Sequence, residues 1–238
     1  MKVTYLDNSG FVITTDKVIM VFDYYRDPSH SLNHILGNMP ETPVVFFASH
    51  RHPDHYNPDI YEIAQNHRRV YVLSNDIPAM KVPSTLEVQG MSKGDYVENL
   101  PGGLSVRAYG STDEGVSYLV TLPDGRKIFH GGDLNNWHWQ DESTFKEVEA
   151  ANVAFTKILN RIAEDNAEIF LAMMAVDPRQ GSDFARGARQ FLDRVKVDNF
   201  IPMHFNGRSD EACQFADYAS AAGHSYCLAS PGHSLDLK

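Results

Sequence analysis

The chain has 238 residues, 42% of them hydrophobic, enough to bury a sizeable core, and no linker, repeat or low-complexity run divides it, so one domain spanning 1–238 is expected. Lys and Arg number 21 against 31 Asp and Glu, a net charge of −10; such a surface repels phosphate backbones and argues against nucleic acid as a partner. No apolar run approaches the roughly 20 residues that span a bilayer. Met1 to Gly10 lacks the basic-then-apolar pattern of an export signal, and Cys213 and Cys227 are too few for a disulfide framework, so reduced thiols, a cytoplasmic location and no membrane partner are expected.

Alternating apolar residues predict strands at Val3–Leu6, Phe11–Thr14 and Lys17–Phe22, joined by tight turns at Asn8–Gly10 and Thr15–Asp16. Val44–Ala48 is wholly apolar, as a buried strand should be. Pro58–Asn66 reads as a helix with proline in its first turn, and Arg69–Leu73 as the next strand. Strands follow at Leu104–Tyr109, Ser117–Leu122 and Lys127–His130, the last two joined by a Pro123-Asp124-Gly125 turn. Phe145, Val148, Ala151, Phe155, Ile158 and Ile162 recur at helical spacing, predicting a helix over Ser143–Asp165. Ile169–Ala175 is a strand, Phe184–Val195 a helix and Asn199–Met203 a strand. Ser209 is placed as the cap of a helix from Asp210 to Ala222 that stops at Gly223. Sheet-rich halves with interspersed helices predict an α/β protein whose helices cover the outer faces of two sheets.

The chemistry is concentrated where Val44–Ala48 ends. Ser49-His50-Arg51-His52-Pro53-Asp54-His55 packs three histidines and an aspartate into six residues. In an extended segment His50 and His52 point the same way and can converge on one ion; Pro53 then turns the chain, so Asp54 and His55 address a neighbouring point. Imidazole nitrogen and carboxylate oxygen are ligands that zinc accepts at about 2.0–2.2 Å. Two later segments, Ile128-Phe129-His130-Gly131-Gly132-Asp133 and Phe200-Ile201-Pro202-Met203-His204, each end a strand in a further ligand type. Taken alone, Asp133 reads more often as a strand-end cap or turn residue than as a ligand, and Asp23, at the end of Val18–Phe22, reads equally as a cap.

The order His-Xaa-His-Xaa-Asp-His after a buried strand resembles the signature of the metallo-β-lactamase superfamily, and the whole chain resembles that fold, in particular the branch of ascorbate-6-phosphate lactonase-like and other cytoplasmic hydrolases. The resemblance implies a four-layer αββα sandwich. It implies that His50 and His52 serve one metal, that Asp54 and His55 serve a second, that Asp133 bridges both and that His204 completes the second site. Asp23 falls where an aspartate would orient a ligand histidine.

One position departs from the pattern. The resemblance calls for another histidine after Leu104–Tyr109, but the chain reads Gly110-Ser111-Thr112-Asp113-Glu114-Gly115. Asp113 could replace the imidazole, giving an oxygen-rich first site open to manganese, iron or magnesium as well as zinc; His130 or His138 could swing in; or the first site could be weak, leaving one metal at Asp54, His55, Asp133 and His204.

The function implied is a zinc-dependent hydrolase with one or two ions, Mn2+ or Fe2+ being alternatives at the first site, acting through a metal-bound hydroxide with Asp54 as the catalytic base. The expected substrate is a small-molecule lactone, ester or phosphoester. Alternatives from other classes are a non-catalytic or single-metal scaffold or sensor, a nucleotide phosphodiesterase, and a di-iron redox protein. Trp137 and Trp139 could wall the pocket or simply pack beneath the following helix; Arg179 could clamp an anion or form a local salt bridge.

Overall fold

The N-terminal alternation folds as an antiparallel meander of β1 (Lys2–Asp7), β2 (Gly10–Thr14) and β3 (Ile19–Phe22). A computed structural model describes residues 1–78, 82–219 and 223–238. After β3 the pairing becomes parallel through β4 (Val44–Ala48), β5 (Arg69–Ser74) and β6 (Val88–Met91), and β14 (Ser234–Asp236) closes the other edge against β1. The second sheet repeats this plan. β7 (Tyr96–Leu100), β8 (Leu104–Gly110), β9 (Val116–Thr121) and β10 (Lys127–His130) are antiparallel; β11 (Glu168–Ala175), β12 (Lys196–Met203) and β13 (His224–Ser225) continue in parallel. Parallel neighbours need crossovers, which carry α1 (Ser31–Asn38), α2 (Phe145–Asp165), α3 (Arg186–Leu192) and α4 (Ser209–Ala219).

Period-two geometry sorts the apolar residues between layers. Val45 and Phe47 of β4 join a core shared by both sheets, where Phe22 stacks on Phe47 at 4.5 Å between centroids. Val44, Phe46 and Ala48 face the other way, into a second core with Leu32 and Leu36 of α1 and with Tyr56, Ile60 and Tyr61. Phe155, Leu159 and Ile162 of α2 and Phe191 of α3 pack on the second sheet. The result is two mixed sheets with helices outside, the α/β sandwich expected. Tyr118 of β9 crosses between the sheets, its hydroxyl donating to the carbonyl of Ala48 at 3.0 Å, and so ties down the strand that leads into the histidine loop.

Several expectations are corrected. The helix over Pro58–Asn66 is only a short 3-10 turn, Pro58–Tyr61, capped by the Asn57 side chain. α1, β6, β7, β13 and β14 have no counterpart among the expected elements. α1 buries just Leu32 and Leu36, and its start is stabilised from outside by the Asp27 carboxylate accepting from the amides of Ser31 and Leu32; β6 and β7 are largely exposed edge segments with little apolar pattern. α3 is shorter than Phe184–Val195, and Ser209 is the first helical residue of α4 rather than its cap; the expected end at Ala222 lies outside the described residues. Reduced thiols are also overturned: Cys213 and Cys227 form a disulfide, with Cα atoms 5.4 Å apart. The count of cysteines carried no information about the α4–β13 crossover, which returns the chain past β12 and brings position 227 back to α4.

Candidate metal centre

The residues singled out lie at the C-terminal ends of strands from both sheets. Asp23 ends β3, Ser49 to His55 follow β4, Asp113 follows β8, Asp133 follows β10 and His204 follows β12. Strand ends of this kind form the usual ligand crevice of sheets with parallel strands. Asp23 and His204 hold left-handed backbone conformations, with φ of 41° and 59°; this is uncommon for residues with a Cβ and is tolerated where surrounding bonds fix the position.

Two ligand clusters meet there. One contains His50, His52, Asp113 and Asp133, the other Asp54, His55 and His204, and within each the ligand atoms lie within 4.8 Å of one another. Asp133 faces both: Oδ2 is 3.4 Å from His50 Nε2, and Oδ1 is 3.0 Å from His55 Nε2 and 3.3 Å from His204 Nε2. Asp54 Oδ2 lies 3.7 Å from Nε2 of both His55 and His204, and Asp113 Oδ2 is 3.8 Å from His52 Nδ1. Two ligands about 2.1 Å from a tetrahedral zinc would stand about 3.4 Å apart, close to these separations.

Hydrogen bonds at Nδ1 fix three of the imidazoles, while Nδ1 of the fourth, His52, lies 3.0 Å from His50 Nε2. Asp23 Oδ2 accepts from His55 Nδ1 at 2.7 Å and from Ser49 Oγ at 2.7 Å, while its Oδ1 accepts from the Ser49 amide. With its proton on Asp23, the Ser49 hydroxyl accepts from His50 Nδ1 at 3.0 Å. Asp177 Oδ2 accepts from His204 Nδ1 at 3.1 Å. Each of these three then turns Nε2 towards Asp133. In the second cluster, buried Nε2 of His55 and Oδ1 of Asp133 make no hydrogen bond despite their proximity. Both are lone-pair donors aimed at a common point, and this fits a cation between them.

The electrostatics agree. Burial resists charge on His55, but Asp133 and Asp23 overcome it and raise its pKa to about 10. Burial likewise opposes charge on His204, and Asp177 and Asp54 raise it to about 9. Asp54 is carried down to about 2 by His204 and His55 against the cost of burial. Asp133 is held well below the usual carboxylate range by His50 and His55, again against burial. Protons on the imidazoles balance the carboxylates, and a divalent cation would do the same where those protons sit.

The other two candidate histidines are committed elsewhere. His130 stacks on Phe22 and lies near the Ser9 carbonyl, and its Nδ1 accepts from the Gly132 amide; burial lowers its pKa. His138 is bonded to the Asp183 carbonyl and the Gln140 amide. Asp113 therefore stands where the missing histidine was sought, with Glu114 Oε2 3.5 Å from His52 Nε2 on the same loop.

Residues 2–180 match the family model described as a beta-lactamase superfamily domain. The chain belongs to the metallo-β-lactamase superfamily. The matched stretch takes in every candidate ligand except His204. Superfamily folds recur among solved structures. Igni18, a metallo hydrolase from Ignicoccus hospitalis KIN4/I, aligns with a TM-score of 0.70 at 19% identity over 100% of this chain and 99% of its own. An isothiocyanate hydrolase from Delia radicum gut bacteria gives 0.62 at 12% identity, over 100% and 99%. A CmlA β-hydroxylase variant gives 0.66 at 12%, over 99% of this chain and 54% of its own. At these identities the likeness is one of fold. A search of curated proteins returns no significant match. The clusters around Asp133 are where this member could hold a metal ion.

Sequence reasoning missed Asp177, Ser49, Asn8 and Glu114. Asn8 donates to Asp54 Oδ2 at 3.1 Å from the β1–β2 turn, a contact no local pattern announces. Asp177 was legible in principle, since it follows β11 as Asp23 follows β3. Arg179 pairs with Asp177, and Trp137 is held by its indole N–H donating to the Asp133 carbonyl at 2.9 Å.

Proposed function

We propose that this chain is a single-domain, two-metal hydrolase of small-molecule lactones, esters or phosphoesters. One ion is held by His50, His52, Asp113 and Asp133, the other by Asp54, His55, His204 and Asp133. The observation that carries this is the pair of clusters sharing Asp133, with the buried Nε2 of His55 and Oδ1 of Asp133 left without hydrogen bonds. Zinc is the ion proposed for the second cluster; the carboxylate of Asp113 makes the first more hospitable to manganese or iron.

When bound, the ions supply Lewis acidity, lowering the pKa of a coordinated water and polarising the substrate's carbonyl or phosphoryl oxygen. Asp54 is half-exposed at the cavity, is oriented by Asn8, and takes the proton released as water attacks. Asp23, Ser49 and Asp177 hold the imidazoles in place. The net charge of −10 disfavours nucleic acid.

Elemental analysis of purified protein, followed by a screen of lactone, ester and phosphoester substrates, tests the reading. About two equivalents of divalent metal and hydrolysis that fails in Asp54→Asn support it. A metal-loaded protein inert on all three classes, or activity undiminished in Asp54→Asn, overturns it. Iron with visible absorbance and no hydrolysis would overturn it in favour of a redox protein of the same fold.

We also place the protein in the cytoplasm, where the Cys213–Cys227 bond faces reduction. No described helix is long and apolar enough to cross a membrane. Cell fractionation tests the placement; recovery of the protein in a secreted or membrane fraction overturns it.

A further inference from the structure

The cavity over the two clusters, about 360 Å3, has one cation in its wall. Arg179 is the only Arg or Lys among its lining residues, which otherwise include the acidic ligands and the Trp137–Trp139 pair. Arg179 Nε and one Nη are held by Asp177, whose side chain is fully buried, while 41% of the Arg179 side chain remains exposed. The guanidinium is thus anchored from behind, with its remaining edge free of any hydrogen bond among the described residues. Beside His204, whose ring Trp137 meets edge-on at 5.6 Å, Trp137 and Trp139 stack at 6.2 Å with planes 16° apart, both partly exposed.

On the two-metal reading given above, we propose that the substrate is a small organic anion with an apolar or planar body. The body lies on the Trp137–Trp139 pair, and a carboxylate or phosphate group separate from the scissile bond is held by the free edge of Arg179. An arginine fork fixed by a buried carboxylate loses little freedom on binding and matches either anion. The volume is at the small end of the ligand-pocket range of about 300–1,000 Å3. In hydrolysis the acyl– or phosphoryl–oxygen bond breaks, the water oxygen takes its place, and the water proton passes through Asp54 to the leaving oxygen, with no redox change.

Trp137 and Trp139 are the chain's two tryptophans, so selectively excited tryptophan fluorescence reports binding at this wall. Metal-loaded protein is titrated with benzoate, phenylphosphonate and the neutral benzamide. Either anion is expected to bind roughly 10- to 100-fold more tightly than benzamide; which one does so distinguishes carboxylate from phosphate recognition. The preference should collapse in Arg179→Gln and survive in part in Arg179→Lys, with metal content by elemental analysis unchanged in both. In turnover, the ratio of kcat/KM for 4-nitrophenyl hydrogen succinate over its methyl ester should fall in Arg179→Gln, mainly through KM. Equal binding of all three probes, or a preference intact in Arg179→Gln, overturns this inference. Hydrolysis of neutral esters in the same preparation would leave the two-metal reading standing; a metal-loaded protein without hydrolysis removes that reading instead.

Discussion

The carboxylate of Asp23 lies 2.7 Å from Nδ1 of His55, and both side chains are fully buried. Accepting from Nδ1 places the lone pair of His55 on Nε2, where it faces Asp133. The same carboxylate takes the Ser49 hydroxyl and amide, so one buried charge sets the angle of His55 directly and that of His50 through Ser49. Asp23→Asn removes that charge and replaces one acceptor by a donor. Metal affinity is expected to fall by about 10- to 100-fold, most strongly at the second cluster, measured by competition with a chelating indicator. Affinity equal to that of the parent would show that Asp23 serves the fold and not the ligand.

The position of Asp113 makes a second prediction. It is half-exposed and 3.8 Å from His52, the loosest member of its cluster. Asp113→Ala should lower metal content from about two equivalents to about one, because the cluster of Asp54, His55 and His204 does not depend on it. Asp113→His should keep both ions and move the first site towards zinc when zinc and manganese compete at equal concentration. Elemental analysis after dialysis reads both effects; two equivalents retained in Asp113→Ala would remove Asp113 from the ligand set.

Much of this centre could be read from the sequence because its ligands come in runs. His50 to His55 occupy a single loop, and Asp133 and His204 each end an apolar strand, a pattern that period-two geometry makes visible. What stayed hidden was non-local. Asn8 reaches Asp54 across 46 positions, and Asp177 reaches His204 across 27; neither contact leaves a mark on its neighbours in the chain. In the fold the same division holds. The wholly apolar β4 and the strongly periodic α2 were found, whereas β6, with its exposed Val88, Gln89 and Gly90, and α1, with two buried leucines, carry too little pattern for recognition. The absence of a histidine at 110–115 could be seen, but that His130 and His138 are committed to their own partners, leaving Asp113 beside His50 and His52, could not.

Two glycines with similar backbones should behave differently on substitution. Gly132 and Gly125 both have positive φ, 52° and 88°. A Cβ at Gly125 would meet nothing within 4 Å, whereas one at Gly132 would stand 2.7 Å from Ser49 Cβ and 2.8 Å from its Oγ. Gly125→Ala should cost only the left-handed strain, about 1–2 kcal/mol. Gly132→Ala should cost more, and because it displaces Ser49 it should also weaken metal binding through His50 and Asp23. Denaturant melts of the two variants alongside metal titrations check this; equal losses in both assays would mean that the packing of Gly132 on Ser49 does not position the ligands.

The disulfide offers a test of stability separate from chemistry. Cys213 and Cys227 are 14 positions apart, and closing a loop of that size restricts the unfolded chain by about 3 kcal/mol. Neither cysteine belongs to a ligand cluster. The doubly substituted Cys213→Ser, Cys227→Ser variant should therefore melt roughly 6–12 °C lower, at about 2–4 °C per kcal/mol for a chain of this size, while keeping its metal content. Thiol titration of the denatured parent should find no free thiol before reduction and both after it. Loss of metal along with the disulfide would mean that α4, which begins five residues after His204, transmits its anchoring to the second cluster, and stability and ligand geometry would then have to be treated as one property of the β12–α4 segment.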